Sequence, residues 1–221
     1  MAFKKIVKIW DDLIINKSNI DFLTSKTDVV EFPLTKYDKK IIKDLKDTAD
    51  RIDCAGIAAN QIGHTKRIFI GYSDNSLESY KIYINPRIIL KYQNSIVPGY
   101  KNEIDHYNRE DYENHIYEGC LSLPNAEFSF SRYHKIKVQY HTEDGKNCTE
   151  TLEQFHSQIF QHELDHLDGK TIAHRCIESI KKKKEGTIIL VGYKEKSRDE
   201  IQKKIKTLHN NFQYLKDYFK I

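Results

Sequence analysis

The chain has 221 residues, with 36 lysines and arginines against 32 aspartates and glutamates, so its formal net charge is +4. This length supports one domain of full size or at most two small ones. No stretch approaches the roughly eighteen unbroken apolar residues of a membrane span, which excludes a transmembrane protein. The cations are 29 lysines and only 7 arginines. Because bidentate recognition of phosphates and bases favours arginine, a dedicated nucleic-acid-binding domain is disfavoured.

The cysteines are widely separated and form no CxxC pair: Cys54, Cys120, Cys148 and Cys176. The first ten residues, MAFKKIVKIW, lack the apolar run of a secretory signal. Both features favour a cytoplasmic protein whose thiols are free or bound to metal.

The first half of the chain is predicted to begin with a helix and continue into strands. Apolar residues at helical spacing predict an amphipathic helix over residues 37–52. The small residues of 54–61 (CAGIAANQ) are typical of a turn where the backbone approaches another group closely. Strands are predicted over 67–72 and 80–90, the second broken at Pro86.

The second half is predicted to contain a loop, a hairpin and a helix. Residues 91–117 are polar and rich in tyrosine, which predicts a long surface loop. Alternating apolar residues over 132–145, with a short strand at 147–152, predict a β-hairpin. Apolar residues from 152 to 167 then follow helical spacing, and Gly169 is placed to end that helix. Strands before a late helix indicate an α+β fold with mixed or antiparallel sheets, which we expect to pack around this helix.

The C-terminal segment is basic and ends in an amphipathic helix. The cationic run Lys181–Lys184 precedes a predicted strand over 187–191, and residues 197–200 have the spacing of a capping box. An apolar stripe follows, formed by Ile201, Ile205, Leu208, Phe212, Leu215 and Phe219. We divide the chain into a catalytic domain, 1–175, and a basic extension, 176–221. The final helix is expected to pack on its own domain, with binding to a partner as the alternative.

The predicted helix 152–167 contains the sequence HELDH at residues 162–166. In a helix this spacing places His162 and His166 on one face, one turn apart, so both can bind one metal ion. Glu163 lies beside that ion and can take a proton from the attacking water. The alternative is a chance HExxH on a solvated helix face.

A catalytic metal site with two histidines needs a third protein ligand and an open position. The metzincin pattern fails, because Ile172 stands where its third histidine should be and His174 lies two residues too late. The glutamates Glu178 and Glu185 lie near the lysine run rather than in a convincing second helix. An upstream cysteine, Cys120 in the sequence EGCLS, is the remaining route.

In chain order, residues 56–61 (GIAANQ), 118–122 (EGCLS) and 161–166 (QHELDH) resemble the three motifs of the peptide deformylases. The likeness covers roughly residues 35 to 175. It implies that one divalent metal is held by Cys120, His162 and His166. This metal is expected to be Fe²⁺, with Ni²⁺, Co²⁺ or Zn²⁺ as alternatives. It also implies removal of the formyl group from N-formyl-methionyl nascent peptides, with release of formate.

The same resemblance assigns the remaining roles. Glu163 is the general base, and the Gln61 amide and the Leu121 backbone N–H stabilise the oxyanion. Gly56, Ile57 and Gly119 would lie along the substrate. Phe155 and Ile159 are candidates for the methionine pocket, although core packing explains them equally well. Departures from the family pattern are Cys54 for a glycine, Asn60 for a frequent proline and Glu127 for a common arginine.

Two other functions remain open at this point. One is an HExxH metalloprotease or a deformylase-like amidohydrolase acting on another amide. The other is a ribosome- or RNA-associated protein whose metal is structural, which would require a fourth protein ligand. As a deformylase, the protein is expected to be a monomer or weakly associating, without membrane or specific DNA contacts. It could reach the ribosome through its C-terminal helix.

Overall fold

The computed structural model describes residues 4–73, 76–92, 96–97, 117–182, 186–192 and 197–221. The helices are α1 (Lys17–Leu23), α2 (Lys36–Ile52), α3 (Gln154–Leu167), α4 (Ile172–Lys181) and α5 (Arg198–Phe219), with a 3₁₀ turn at Ala59–Ile62. The strands are β1 (Trp10–Asp11), β2 (Ile14–Ile15), β3 (Gly56–Ala58), β4 (Ile68–Ser73), β5 (Ser76–Lys91), β6 (Ile96–Val97), β7 (Tyr117–Gly119), β8 (Ala126–Ser129), β9 (Arg132–Tyr133), β10 (Lys135–His141), β11 (Asn147–Glu153) and β12 (Thr187–Leu190).

The chain divides into two compact units, and the first contains residues 1–7, 21–96 and 133–169. Its helix α2 begins with a capping box, in which the Asp38 backbone N–H donates to the Thr35 hydroxyl over 3.1 Å and Asp38 accepts from the Thr35 backbone N–H over 2.9 Å. These bonds satisfy N–H groups that have no partner within the helix. The helix ends at Ile52, and its C-cap Asp53 has a left-handed φ of 50°. The predicted helix over 37–52 is confirmed.

The sheet of this unit has the strand order β11-β10-β5-β4-β3, with each neighbouring pair antiparallel. The predicted hairpin is confirmed as β10 and β11. The predicted break at Pro86 is wrong, because β5 continues through it. Asn85 takes a φ of 50° and the register with β10 shifts there, so a bulge accommodates the proline without ending the strand.

Helix α3 packs on this sheet through aromatic side chains. The ring of Phe160 lies 5.2 Å from the rings of both Phe69 and Tyr83, in edge-on geometry. Tyr140 adds a further edge-on contact to Tyr83 at 4.8 Å. These residues belong to one buried cluster. These ring contacts orient α3, because they hold the buried face of the helix against the sheet in the edge-on geometry that aromatic pairs prefer.

The second unit contains residues 8–20, 97–132 and 170–221. Its antiparallel sheet has the order β12-β8-β7. Helix α5 is capped by Ser197, as predicted, and buries Leu208, Phe212 and Leu215. Asn211, also on α5, donates to the Leu13 carbonyl over 2.7 Å. Half of the apolar stripe is therefore buried, and the Phe212 ring lies 6.0 Å from that of Phe128 in the same unit, which supports the packing interpretation for this half. Ile201, at the start of the stripe, is 37% exposed.

The α+β class, with helices, antiparallel sheets and a C-terminal helix, is confirmed. That the sheets surround α3 stays a prediction, as does the division into 1–175 and 176–221. The predicted 91–117 loop lies mostly outside the described residues, and 96–97 within it form β6. None of the helices in the described ranges is long and apolar enough to cross a membrane.

Candidate metal centre

Helix α3 presents His162 and His166 at the spacing that the sequence predicts. It ends at Leu167, and two residues later Gly169 has a φ of +71° and donates its backbone N–H to the His166 carbonyl over 3.1 Å. A Cβ atom on Gly169 would collide with the Thr24 carbonyl. Glycine is therefore required both by the left-handed backbone and by the close approach of a neighbouring chain segment.

Cys120 follows directly after β7, in a segment that is fixed on both sides. Before it, Glu118 accepts two hydrogen bonds from Arg132, of 2.7 and 2.8 Å, and both side chains are buried. After it, the Leu123 N–H donates to the Cys120 carbonyl over 2.9 Å, which forms a tight turn. The bidentate geometry holds the strand in one orientation. Arg132 thus occupies a structural position beside the cysteine.

The three predicted ligands come together. The Cys120 sulfur and one nitrogen each of His162 and His166 all lie within 4.8 Å of one another. Cys120 and His166 are buried, and His162 is half-buried. Thiolate and imidazole are donors that bind Fe²⁺, Ni²⁺, Co²⁺ and Zn²⁺, so the set fits one such ion. Within the described residues no fourth His, Cys or carboxylate joins this group.

Two of the rejected third ligands, His174 and Glu178, have other roles in the second unit, and Glu185 lies outside the described residues. His174 accepts a hydrogen bond from the Thr171 backbone N–H over 3.2 Å, and its ring stacks on Phe219. Glu178 forms ion pairs with Lys170 at 2.8 Å and with Arg175 at 3.3 Å. His174 therefore caps the start of α4 and contacts α5 through Phe219, whereas Glu178 ties α4 to Lys170 just before it.

Glu163 is buried and lies against β3. A Cβ atom on Gly56 would be 2.8 Å from the Oε1 atom of Glu163, so the glycine leaves the space that this carboxylate occupies. Cys54 lies within electrostatic reach of the same carboxylate. Burial, and then the charge of Glu163, raises the pKa of the Cys54 thiol to about 12. Cys54 is not part of the group formed by Cys120, His162 and His166.

Gln61 lies in the 3₁₀ turn and is buried. Its side-chain oxygen accepts from the Ala58 backbone N–H over 2.9 Å, and its carbonyl accepts from the Val7 N–H over 2.8 Å. Since Oε1 is held by Ala58, Nε2 is the end of the side chain that can donate to a developing oxyanion.

The other predicted residues lie in simpler settings. Leu121 follows Cys120 and is half-buried, Gly119 ends β7 and is exposed, and Ile57 is fully buried in β3. Phe155 is 47% exposed at the start of α3, whereas Ile159 is buried and packs over Gly56 and Gly71.

Two further residues support this site, and sequence reasoning did not assign them a role. Arg67 donates to the Asp168 carboxylate over 2.7 Å and to the Pro86 carbonyl over 3.1 Å, which ties the end of α3 to β5. Asn60 donates to the His166 carbonyl over 2.6 Å. Both contacts join segments that are distant in sequence, and no local pattern predicts them.

An HExxH helix, a cysteine directly after strand β7 and a glutamine on a 3₁₀ turn define a metallohydrolase of α+β fold. The polypeptide deformylase profile matches residues 12–184. This chain therefore belongs to the polypeptide deformylase family.

Relatives and solved structures agree with this assignment. A peptide deformylase of Desulfotalea psychrophila is 31% identical over 142 residues, covering 62% of this chain and 73% of the relative. That of Thermotoga maritima is 34% identical over 146 residues, covering 65% and 76%. The crystal structure of peptide deformylase from Thermotoga maritima superposes with a TM-score of 0.60 at 26% identity, covering 79% of this chain and 98% of the other.

Proposed function

We propose that Cys120, His162 and His166 hold one divalent metal for the hydrolysis that this family carries out, and that Fe²⁺ is the preferred ion. The family removes the N-formyl group from the N-terminal methionine of new proteins and releases formate. The observation that carries the assignment is the convergence of one sulfur and two imidazole nitrogens within 4.8 Å, with Glu163 adjacent to His162 in the helix. When bound, the metal supplies Lewis-acid activation of water and of the formyl carbonyl.

In this proposal the protein residues move the proton and stabilise charge. The Glu163 carboxylate takes a proton from the attacking water and then gives it to the leaving amine nitrogen. The Gln61 Nε2 group and the Leu121 backbone N–H donate to the oxygen of the formyl group as it gains negative charge. The carbon–nitrogen bond breaks to leave formate and a free amine. Gly56, Ile57 and Gly119 provide backbone along the peptide.

The decisive experiment measures formate released from formyl-Met-Ala-Ser by anaerobically purified protein of known metal content. Acetyl-Met-Ala-Ser is the substrate control, and Glu163→Gln is the protein control, because its amide keeps the shape but accepts no proton. We expect release from the formyl peptide alone, and a loss of about two to four orders of magnitude in the variant. Cleavage within an unblocked peptide, with no formate, would instead favour the metalloprotease alternative.

We also propose that the enzyme works in the cytoplasm on nascent chains and approaches the ribosome through α5. Supporting this, Lys203 and Lys206 are exposed on α5, while the apolar side chains Leu208 and Phe212 are buried. Exposed lysines of this kind affect the rate at which the enzyme associates with the ribosome, and the salt dependence of that binding, more than the contact energy.

A charge reversal tests docking without exposing the core. The double variant Lys203→Glu/Lys206→Glu should keep formate release from free tripeptides, since both side chains are exposed, yet lose co-sedimentation with ribosomes at low salt. A matched control is Lys17→Glu/Lys36→Glu, which makes the same charge change on exposed lysines of other helices. Equal ribosome binding by both double variants and the parent protein would contradict docking through α5.

A further inference from the structure

Asn60 lies at the second position of the 3₁₀ turn, directly before Gln61. Its side chain is 1% exposed, and its Nδ2 group donates to the His166 carbonyl over 2.6 Å. The bond spans 106 positions in sequence. It therefore joins the turn that carries the oxyanion donor to the residue of α3 that carries a metal ligand.

The amide orientation follows from this contact, because a carbonyl accepts and only Nδ2 donates. Oδ1 of Asn60 is then buried with no hydrogen-bond partner among the described residues. The His166 carbonyl also accepts from the Gly169 N–H over 3.1 Å. The end of α3 is thus satisfied without Asn60, and a buried unpartnered oxygen is unfavourable for folding.

We propose that Asn60 is a positioning residue that fixes the oxyanion donor Gln61 relative to α3. The inference rests on the proposed role of Gln61. Asn60 and Gln61 are successive residues of a four-residue turn, so a shift of one carries the other with it. Oxyanion donors act within a narrow range of distance, and small misplacements reduce turnover strongly.

Loss of the Asn60–His166 hydrogen bond should lower kcat without lowering KM, metal content or the melting temperature. Asn60→Leu keeps the branched shape and the number of side-chain heavy atoms and removes both the donor and the unpartnered oxygen. We expect kcat to fall about tenfold, less than for loss of a whole oxyanion donor, with KM and metal content within about twofold of the parent. The melting temperature should stay unchanged or rise. A residue that acts only in folding would instead lower the melting temperature and leave kcat per folded molecule unchanged.

The matched control is Ile62→Val, in the same turn and 4% exposed. It removes one methylene from the core without touching the bond to His166. We expect a lower melting temperature and an unchanged kcat.

The decisive measurement is a double-mutant cycle of Asn60→Leu with Gln61→Leu, using formate release by metal-loaded protein. Since Asn60 acts through Gln61, its substitution should have no further effect on kcat in the Gln61→Leu background. An equal loss in both backgrounds overturns the inference, as does a fall in metal affinity, which would place the effect on His166. Full activity of Gln61→Leu would contradict the proposed role of Gln61 itself. This result differs from a failure of the Asn60 inference, in which Gln61→Leu loses activity but Asn60→Leu has the same effect in both backgrounds. If Asn60→Leu does not fold, the same cycle with Asn60→Ala decides.

Discussion

The absence of a side chain at Gly56 leaves room for the carboxylate of Glu163. A Cβ atom at residue 56 would lie 2.8 Å from Oε1 of Glu163 and 3.0 Å from Cγ2 of Ile159. Both neighbours belong to α3, so the glycine in β3 is what lets the helix approach the sheet closely at this point. The position of the general base therefore depends on a residue that has no side chain.

Substitution of Gly56 by alanine should displace Glu163. We expect kcat to fall by at least about tenfold, because misplacement of a catalytic group by 1 Å is enough for about a hundredfold loss. Metal content, measured on the same sample, should stay close to that of the parent protein.

Gly71→Ala is the matched control for this variant. Its Cβ atom would lie 2.9 Å from Cγ2 of the same Ile159, with no atom of Glu163 among its nearest neighbours. It should lower the melting temperature with little change in kcat. If the two variants lose the same fraction of kcat, displacement of Glu163 is not the cause.

Cys120→Ser should lose bound metal. A serine hydroxyl stays protonated and binds soft divalent metals weakly, whereas a thiolate binds them strongly. Metal content per chain after gel filtration measures the effect. Cys148→Ser is the control, because Cys148 is half-buried on β11 and lies outside the ligand group. Full metal occupancy in Cys120→Ser would show that the cysteine is not a ligand and would revive the metalloprotease alternative.

Local sequence patterns predicted much of this fold. Helices α2, α3 and α5 and the β10–β11 hairpin each follow from the spacing of apolar residues within a short window. The HExxH spacing likewise predicted that His162 and His166 share a helix face. The bulge at Asn85 was missed because it depends on the partner strand β10, which is far away in sequence.

The remainder of the site depends on contacts between distant segments. The bonds of Asn60 to His166 and of Arg67 to Asp168 link residues about a hundred positions apart, at 106 and 101. Residue type alone gives no signal for either, since buried asparagine and arginine serve many structural roles. The close approach at Gly56 is of the same kind, because it is set by where α3 lies against β3.

Gly169→Ala should destabilise the protein through two effects. The residue has a φ of +71°, and its new Cβ atom would collide with the Thr24 carbonyl. A left-handed alanine alone costs about 1 kcal/mol, and the clash adds to it, so we expect a loss of about 2–4 kcal/mol in the free energy of unfolding. Urea denaturation measures it.

Gly63→Ala separates these two effects. Gly63 has a similar φ of +86°, but no atom lies within 4 Å of its added Cβ atom. It should therefore show the cost of the backbone conformation alone. Equal losses in the two variants would mean that the approach of Thr24 contributes nothing.

His64 is buried between two hydrogen-bonding partners. Its Nε2 atom lies 3.3 Å from the Asp44 carboxylate, and its Nδ1 atom lies 3.0 Å from the Tyr37 hydroxyl. A neutral ring satisfies both, donating to Asp44 and accepting from Tyr37. Burial lowers the pKa of His64, against the attraction of Asp44, while Lys4 and Lys40 nearby also disfavour a second positive charge.

This lowered pKa makes stability fall in mild acid. Above the ordinary histidine pKa of about 6.5, the ring is neutral in the folded and the unfolded chain alike. Below it, the unfolded chain binds a proton that the folded chain does not, so the free energy of unfolding decreases as the pH falls. One such group contributes at most about 1.4 kcal/mol per pH unit. Urea denaturation at about pH 7.5 and about pH 5.5 should show a smaller decrease in His64→Gln than in the parent protein. The same decrease in both would mean that another group causes the acid sensitivity.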